Sequence, residues 1–575
     1  MKKVNPEFLM TAAEGKEWHE FKSTLGPIYP GYDSFIPYMN WVREKLEGYG
    51  CIDYLDHHWQ MESYIVKDWP HHEEEVMGLK IEGKELPVGT FCMLSASTGK
   101  DGVEAPMVFW DITKGMPPEG SMEGKIIVID TPPHPEKPYK PAYLGSYVIT
   151  DTNFRSDPQP DFPMFEKPDP EINCSWNNRW NFFAWWDIIP ECPKMGGAKA
   201  MIICSDMTKG ALYGLYDRQK VRPLPTIVVD RVTKKEVLEA AKAGKTAWVK
   251  LDSQFFWTDA YNYFMFQPGK YYGTDKDEYV TVNIHVDAMS LTQDNGSLGA
   301  IGVARYFSHI PQEQRAKTIV YCIDSRHFIE GFEDGNFQHD PYVVHPEVKK
   351  KVVVTVGLEH MGEMAARENY EKNIMEPTGM PEFSFMKADD NDWCAQHLIQ
   401  AAALSGLERA DIKVDGRPGI HGAYKGWVRA IQASTHKLGV CVIGEAGNWP
   451  GAHTQTYSTM QYFGEKKFRD EVHTWTQVVQ DLMDTDSIVY NICWHNLNTA
   501  IRKAETDKHL TSLQKEGLLS EVSTIFSFVV DGEYELACKR LDGSCREALN
   551  YCLKNTAGDC IMALDKCIAE LKKWF

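Results

Sequence analysis

A histidine and an aspartate stand two residues apart at the end of an apolar run, Tyr279-Val-Thr-Val-Asn-Ile-His285-Val-Asp287. Asp294 follows within Gln293-Asp294-Asn295-Gly296-Ser297, a turn that opens a Gly/Ala-rich stretch. Imidazole and carboxylate groups delivered from strand ends are what a hydrolytic zinc site draws on. Such a site also needs an open position for water and a base to deprotonate it. Asp287 is placed to orient the His285 imidazole. Asp294 sits where a helix N-terminus favours negative charge, and a carboxylate there can bridge two ions. Three later places offer more donors. Asp324-Ser-Arg326-His327 follows the apolar run Thr318-Ile-Val-Tyr-Cys-Ile323. Glu359-His360 ends Val352-Val-Val-Thr-Val-Gly-Leu358. His453-Thr454 closes the Gly-rich segment that begins at Gly444.

These residues need rigid elements behind them. Apolar runs predict strands at 279–286, 317–324, 351–358 and 438–444, and helical periodicity predicts helices at 295–308, 391–405 and 465–484. The alternation is that of an α/β domain over residues 261–505. Residues 1–84 read as a helical, aromatic segment joining that domain. Between them, 85–260 carries short β-like runs among Gly- and Pro-rich turns: Gly124-Lys-Ile-Ile-Val-Ile-Asp130, Gly196-Gly-Ala-Lys-Ala-Met-Ile-Ile-Cys-Ser205, and Leu224-Pro-Thr-Ile-Val-Val-Asp230 ahead of a helix. The last part, 506–575, reads as helices, with Cys538, Cys545, Cys552, Cys560 and Cys567 at near-heptad spacing that suits buried packing.

Composition narrows the function classes. At 575 residues the chain is long enough for two to four domains, and 43% apolar residues supply their cores. A formal charge of −20 argues against nucleic acid and anionic membrane as partners. No run approaches the roughly 18 apolar residues of a spanning helix. The 14 cysteines are scattered and form no Cys-x-x-Cys pair, so reduced thiols in a cytoplasm are expected. The acidic run His71-His72-Glu73-Glu74-Glu75 reads as a solvated face. The Trp-rich stretch Trp176 to Trp186 suits core packing or an aromatic wall over a cleft. Gly296-Ser-Leu-Gly299-Ala-Ile-Gly302 is not a dinucleotide fingerprint, and its glycines suit close helix packing on a sheet.

Taken in order, His-x-Asp, Asp-Asn-Gly-Ser, a strand-end acidic site, Leu-Glu-His-Met-Gly and His-Thr resemble the zinc-dependent aminopeptidase family. That family spans bacterial leucyl-type aminopeptidases and the glutamate carboxypeptidase and transferrin receptor branch. The resemblance covers about residues 85–505. It implies a mixed sheet flanked by helices, with a protease-associated insert over 85–260 and a C-terminal helical region that makes a homodimer. It further implies one or two Zn2+ ions, or another divalent metal, held by His285, Asp294, His327, Glu359 and His453.

Two positions depart from the family pattern. Its Glu-Glu pair, a base followed by a ligand, is here Arg326-His327. Imidazole still binds zinc, whereas a guanidinium takes no proton near neutral pH. Glu359 stands where the family has an Asp. The base is then sought in Glu330, with Glu333, Glu445 and His360 also near in sequence. Arg326 is left to hold a substrate carboxylate or polarise a carbonyl, and Tyr457 to donate a hydrogen bond to an oxyanion. Trp449 and Trp494 are further candidates to line a pocket. The expected activity is metal-dependent hydrolysis of an amide or peptide-like bond in a small specialised substrate. The alternatives are an inactive family member serving as a binding or assembly protein, and a glutaminyl-cyclase-like acyl transfer.

Overall fold

The computed structural model describes residues 3–66, 73–133, 135, 147–149, 154–155, 185, 197–213, 224–287, 290–292, 295–326, 337–381, 384–388, 410–414, 441–445, 459–484, 524–525, 528, 533–547, 565, 568 and 572. Two helices open the chain, α1 (Ala12–Leu25) and α2 (Phe35–Gly48). Thr11 starts α1 with a capping box: its hydroxyl accepts from the Glu14 N–H, and the Glu14 carboxylate accepts from the Thr11 N–H.

The expected helix up to about residue 80 gives way to a long strand, β1 (Ile52–Val66). Its aromatic and β-branched residues suit a pleated surface. Its partner decides the matter: β2 (Ser253–Gln267) runs antiparallel to it, from Leu55 opposite Phe264 to Val66 opposite Ser253. A second sheet lies between these two strands in sequence, in the spatial order 84–86, 77–81, 246–251, 103–110, 126–130, 200–204, 226–229 and 90–91. Its limits, Met77 and Leu251, fall earlier than 85 and 260. The runs 103–110, 126–130, 200–204 and 226–229 are mutually parallel, and α3 (Thr233–Lys242) packs on them. Trp185, in the Trp-rich stretch, is buried beside Ile129 and Trp110 in this unit's core.

The main sheet uses β3 (Tyr279–His285), β4 (Thr318–Asp324), β5 (Val352–Gly357), β6 (Ser384–Ala388), β7 (Ala410–Val414) and β8 (Cys441–Glu445). Among the described residues its order is β1-β2-β4-β3-β5-β8-β6-β7, followed by the short strands 147–149 and 154–155. Strands β4, β3, β5 and β8 are parallel neighbours, so four carboxyl ends lie side by side. Every residue of β3 and of β5 is buried, as parallel strands covered on both faces must be. The expected strands at 279–286, 317–324, 351–358 and 438–444 are found, with small shifts at their ends. The helix expected at 391–405 lies outside the described residues.

One face is covered by α1, α2, α4 (Gly296–Ser308) and the long α5 (Glu465–Asp484). The described part of the tail joins the same core through Ala537, Cys538 and Leu541. Helix α4 lies close because three of its glycines face neighbours. A Cβ on Gly296 would stand 1.9 Å from the Leu358 carbonyl oxygen, one on Gly299 2.7 Å from Met361 Sδ, and one on Gly302 2.6 Å from Val472 Cγ1. Only the first obstacle is backbone. Gly296→Ala should therefore cost about 1–3 kcal/mol of stability, as overpacking typically does. Gly302→Ala, which meets movable side chains, should cost less. Urea unfolding of the two variants checks this order.

Candidate functional site

The carboxyl ends of parallel strands are where open α/β sheets bind ligands, because the backbone there turns away and leaves a crevice. His285 is the last residue of β3 and lies in register with Asp324, the last of β4. Glu359 follows the end of β5, the parallel neighbour on the other side. This register brings His285 Nε2 to 2.6 Å from Glu359 Oε1, and His285 Nδ1 to 3.4 Å from Asp287 Oδ1. His360 Nε2 reaches the same Glu359 oxygen at 3.1 Å. All four side chains are buried.

Burial alone would lower the His285 pKa, but the carboxylates of Glu359 and Asp287 outweigh it and raise the pKa to about 10. Burial alone would raise that of Glu359, yet His360 and His285 hold it well below the usual carboxylate range. The pocket is thus electrically a place for a cation.

Arg326 is paired with carboxylates at its own strand end. Its Nε donates to Asp324 Oδ1 at 2.9 Å, its Nη2 to Asp324 Oδ2 at 2.6 Å, and Asp340 Oδ2 lies 3.7 Å away. The guanidinium is buried, and despite burial these carboxylates raise its pKa. Planar, bidentate pairing of this kind is what an arginine fork fits best. It ties Arg326 to its own strand end and neutralises Asp324. Asp340 also caps the one-turn helix Pro341–Val344 by accepting from the Tyr342 N–H.

The loop after β5 is held from behind. Asn295 Nδ2 donates to the Met361 carbonyl at 2.6 Å, and Asn295 Oδ1 accepts from the Met361 N–H at 2.9 Å. The Gly362 N–H donates to Glu471 Oε2 at 2.6 Å. Glu471 Oε1 accepts in turn from Lys467 and Ser384. The second Asn295 amide hydrogen faces His19 Nε2 at 3.0 Å, while His19 Nδ1 faces the Gly15 carbonyl at 2.7 Å. A neutral imidazole protonated on Nδ1 satisfies both contacts.

Of the residues singled out in the sequence, the structure brings together His285, Asp287 and Glu359, and it sets Arg326 at the adjoining strand end. Asp294, His327, Glu330, His453 and Tyr457 lie outside the described residues, as do Glu333, Trp449 and Trp494. Among the described residues no group of three His, Cys, Asp or Glu side chains is already spaced for an ion. The donor types nevertheless fit zinc. The 2.6 Å contact between His285 and Glu359 is a hydrogen-bond length. Two ligands of one tetrahedral zinc stand about 3.3 Å apart. The sequence reading missed the Asn295 clamp and the Arg326–Asp340 approach. The Asn295 residue type was a visible signal, whereas Asp340 stands well beyond Arg326 in the sequence and left none.

No protein-family model matches this sequence, and no curated protein sequence does. Solved structures do. A peptidase M28 precursor from Shewanella amazonensis is 14% identical, with a TM-score of 0.53, over 82% of this chain and 94% of that one. A zinc aminopeptidase from Bacillus subtilis is 13% identical, with a TM-score of 0.48, over 83% and 96% of the two chains. An aminopeptidase from Aneurinibacillus sp. strain AM-1 is 14% identical, with a TM-score of 0.47, over 82% and 93%. The chain has the peptidase M28 type of fold, a mixed α/β sheet flanked by helices. No helix among the described residues is long and apolar enough to cross a membrane.

The His19 contacts yield a pH prediction. Burial pushes its pKa down from 6.5 to about 3, so the folded chain keeps it neutral while the unfolded chain protonates it. A depressed pKa means that its contribution is complete above pH 6.5 and is lost as pH falls towards 3. Relative to His19→Gln, the parent chain should lose about 1.4 kcal/mol of stability per pH unit across that window. Denaturant midpoints of the pair at matched pH values check the slope difference.

Proposed function

We propose that this chain is a metal-dependent hydrolase that cleaves an amide or peptide-like bond of a small substrate. The observation that carries the reading is the pairing of His285 with Glu359 and Asp287 at the carboxyl ends of parallel strands in an M28-type fold. We assign His285 and Glu359 as ligands, with Asp294, His327 and His453 completing the set. Zinc bound there would polarise the scissile carbonyl and activate water. Asp287 fixes the imidazole from behind, as second carboxylates do for zinc-bound histidines. Arg326, clasped to Asp324, keeps a fixed positive charge at the neighbouring strand end. We assign the base to Glu330 and the oxyanion donor to Tyr457. The second sheet, with its four parallel strands and α3, suits a protease-associated insert. Buried thiols such as Cys51, Cys204 and Cys322 fit a reducing cytoplasm, and the C-terminal helices are assigned to a homodimer.

One observation favours a second reading. The residue at the usual place of the base is a buried arginine already paired with Asp324 and near Asp340. Such a site can bind metal and substrate without hydrolysing it. Glutaminyl-cyclase-like acyl transfer differs in product, since no water attacks.

Elemental analysis of protein purified without added metal tests the reading. One or two equivalents of zinc are expected, lost together with amide hydrolysis in His285→Ala and in His453→Ala. Incorporation of solvent oxygen into the product separates hydrolysis from cyclisation. Absence of metal in the parent chain even after zinc is supplied would sink the proposal. Metal without turnover on any amide tried would leave the binding-protein reading.

A further inference from the structure

We propose that His57 and His339 form an acid-released latch, which holds the segment 337–345 against strand β1 while at least one of the two rings is neutral. The inference does not depend on the metal-site reading. His57 Nε2 lies 3.0 Å from His339 Nδ1, so one ring donates an N–H and the other accepts it. Gln338 Nε2 faces His339 Nε2 at 3.2 Å. A proton on His339 Nδ1, given to His57 Nε2, satisfies both contacts. Two charged rings carry N–H on every nitrogen, so neither could accept, and like charges would then face each other.

The pair joins two parts of the chain that are far apart in sequence. Trp59 shares a face of β1 with His57 and stacks on both imidazoles, with centroids 5.5 Å from His57 and 4.9 Å from His339. An indole face favours one positive ring, so the second proton is the one that breaks the pair. Asn262, opposite His57 on β2, donates to the His339 carbonyl at 3.0 Å, and His345 Nε2 lies 3.3 Å from the Asp56 carbonyl. The charged groups around the pair are already matched with one another: Asp56 with His58, Glu347 with His345, and Asp324 and Asp340 with Arg326. Among the described residues no carboxylate is hydrogen-bonded to either ring of the pair. Burial, then the charges of His339, His345, Arg326 and His58, hold the His57 pKa below 6.5; burial, then Arg326, does the same for His339. Depressed values make the latch complete above pH 6.5 and lost as pH falls through them. Both rings are only partly buried, so protons reach them without unfolding. The segment also carries Asp340, which lies 3.7 Å from Arg326.

Ring titration of the full chain labelled with nitrogen-15 histidine tests this, beside hydrogen exchange of the amides in 337–345 corrected for the intrinsic pH effect. Signals are assigned by their loss in His57→Gln and His339→Gln. The rings should titrate as a coupled pair, in two steps about one pH unit or more apart. Protection of 337–345 should fall about ten-fold per pH unit below the second step, while β3 and β5 stay protected. In His57→Gln, whose amide does not titrate, that pH-dependent fall should be absent. Independent titration of the two rings would overturn the proposal, as would a second step that leaves protection unchanged. An equal fall in His57→Gln, or a fall shared by β3 and β5, would assign the loosening to other groups and overturn it too.

Discussion

Two hydrogen bonds between the Asn295 side chain and the backbone of Met361, at 2.6 and 2.9 Å, join the turn before α4 to the loop after β5. Both partners are buried, so neither bond can be exchanged for water, and losing one would leave a desolvated backbone group without compensation. The contact is possible only because α4 lies against the end of β5. Gly296 brings the helix to where any side chain would strike the Leu358 carbonyl. Once Met361 is fixed, the residues before it have little freedom. Leu358 meets the helix, Glu359 meets His285, and His360 is held in a left-handed turn. Close helix packing at one glycine is thus converted into the placement of a carboxylate and two imidazoles.

The same region concentrates charge where burial is most expensive. His285, Asp287 and Glu359 on one side, with Arg326, Asp324 and Asp340 on the other, form two neighbouring knots across β3 and β4. Buried ions are tolerated when they are paired and hydrogen-bonded, and replacing such knots by hydrocarbon is often no less stable. Stability alone therefore does not call for them. The two knots differ in what they could exchange. Arg326 stays charged at any ordinary pH, so its knot is permanent. The His285 knot is built on an imidazole, whose charge is not permanent.

Much of this architecture was legible because parallel strands announce themselves as continuous apolar runs with chemistry at their ends. His285, Asp324 and Glu359 each follow such a run, and the sheet places those three ends side by side. The glycines of α4 were legible as packing residues for the same reason. Strand β1 was not, since aromatic residues and histidines along Ile52–Val66 mark a strand only through the partner strand that follows the whole insert. Asn295 was visible as a residue type but not as a clamp. Its partner is the backbone of Met361, and backbone groups carry no sequence signal. The carboxylate pairing of Arg326 was not legible for a related reason. Asp324 stands two residues before it in the sequence, yet only the folded chain sets the guanidinium against that carboxylate.

The loop that presents Glu359 and His360 also runs straight into a hairpin, strands 364–369 and 374–381, whose far end meets the second sheet. There Glu368 accepts from the N–H and hydroxyl of Thr208, Asn373 donates to Asp230, and Arg231 stacks over Tyr370. Gly210 lies so near the hairpin backbone that a Cβ would stand 2.3 Å from the Met375 nitrogen. These contacts involve the ends of the parallel strands of the insert, the edge where Asp130 and Asp206 share Lys234. The second sheet is therefore joined to the main sheet through the segment that follows Glu359 and His360, and not only through the paired strands β1 and β2 from which it springs. Ahead of the hairpin, the Gly362 N–H donates to Glu471 Oε2. That bond and the Asn295 clamp sit between the hairpin and His360. Glu359 and His360 are thereby tied to the core on the near side of the hairpin.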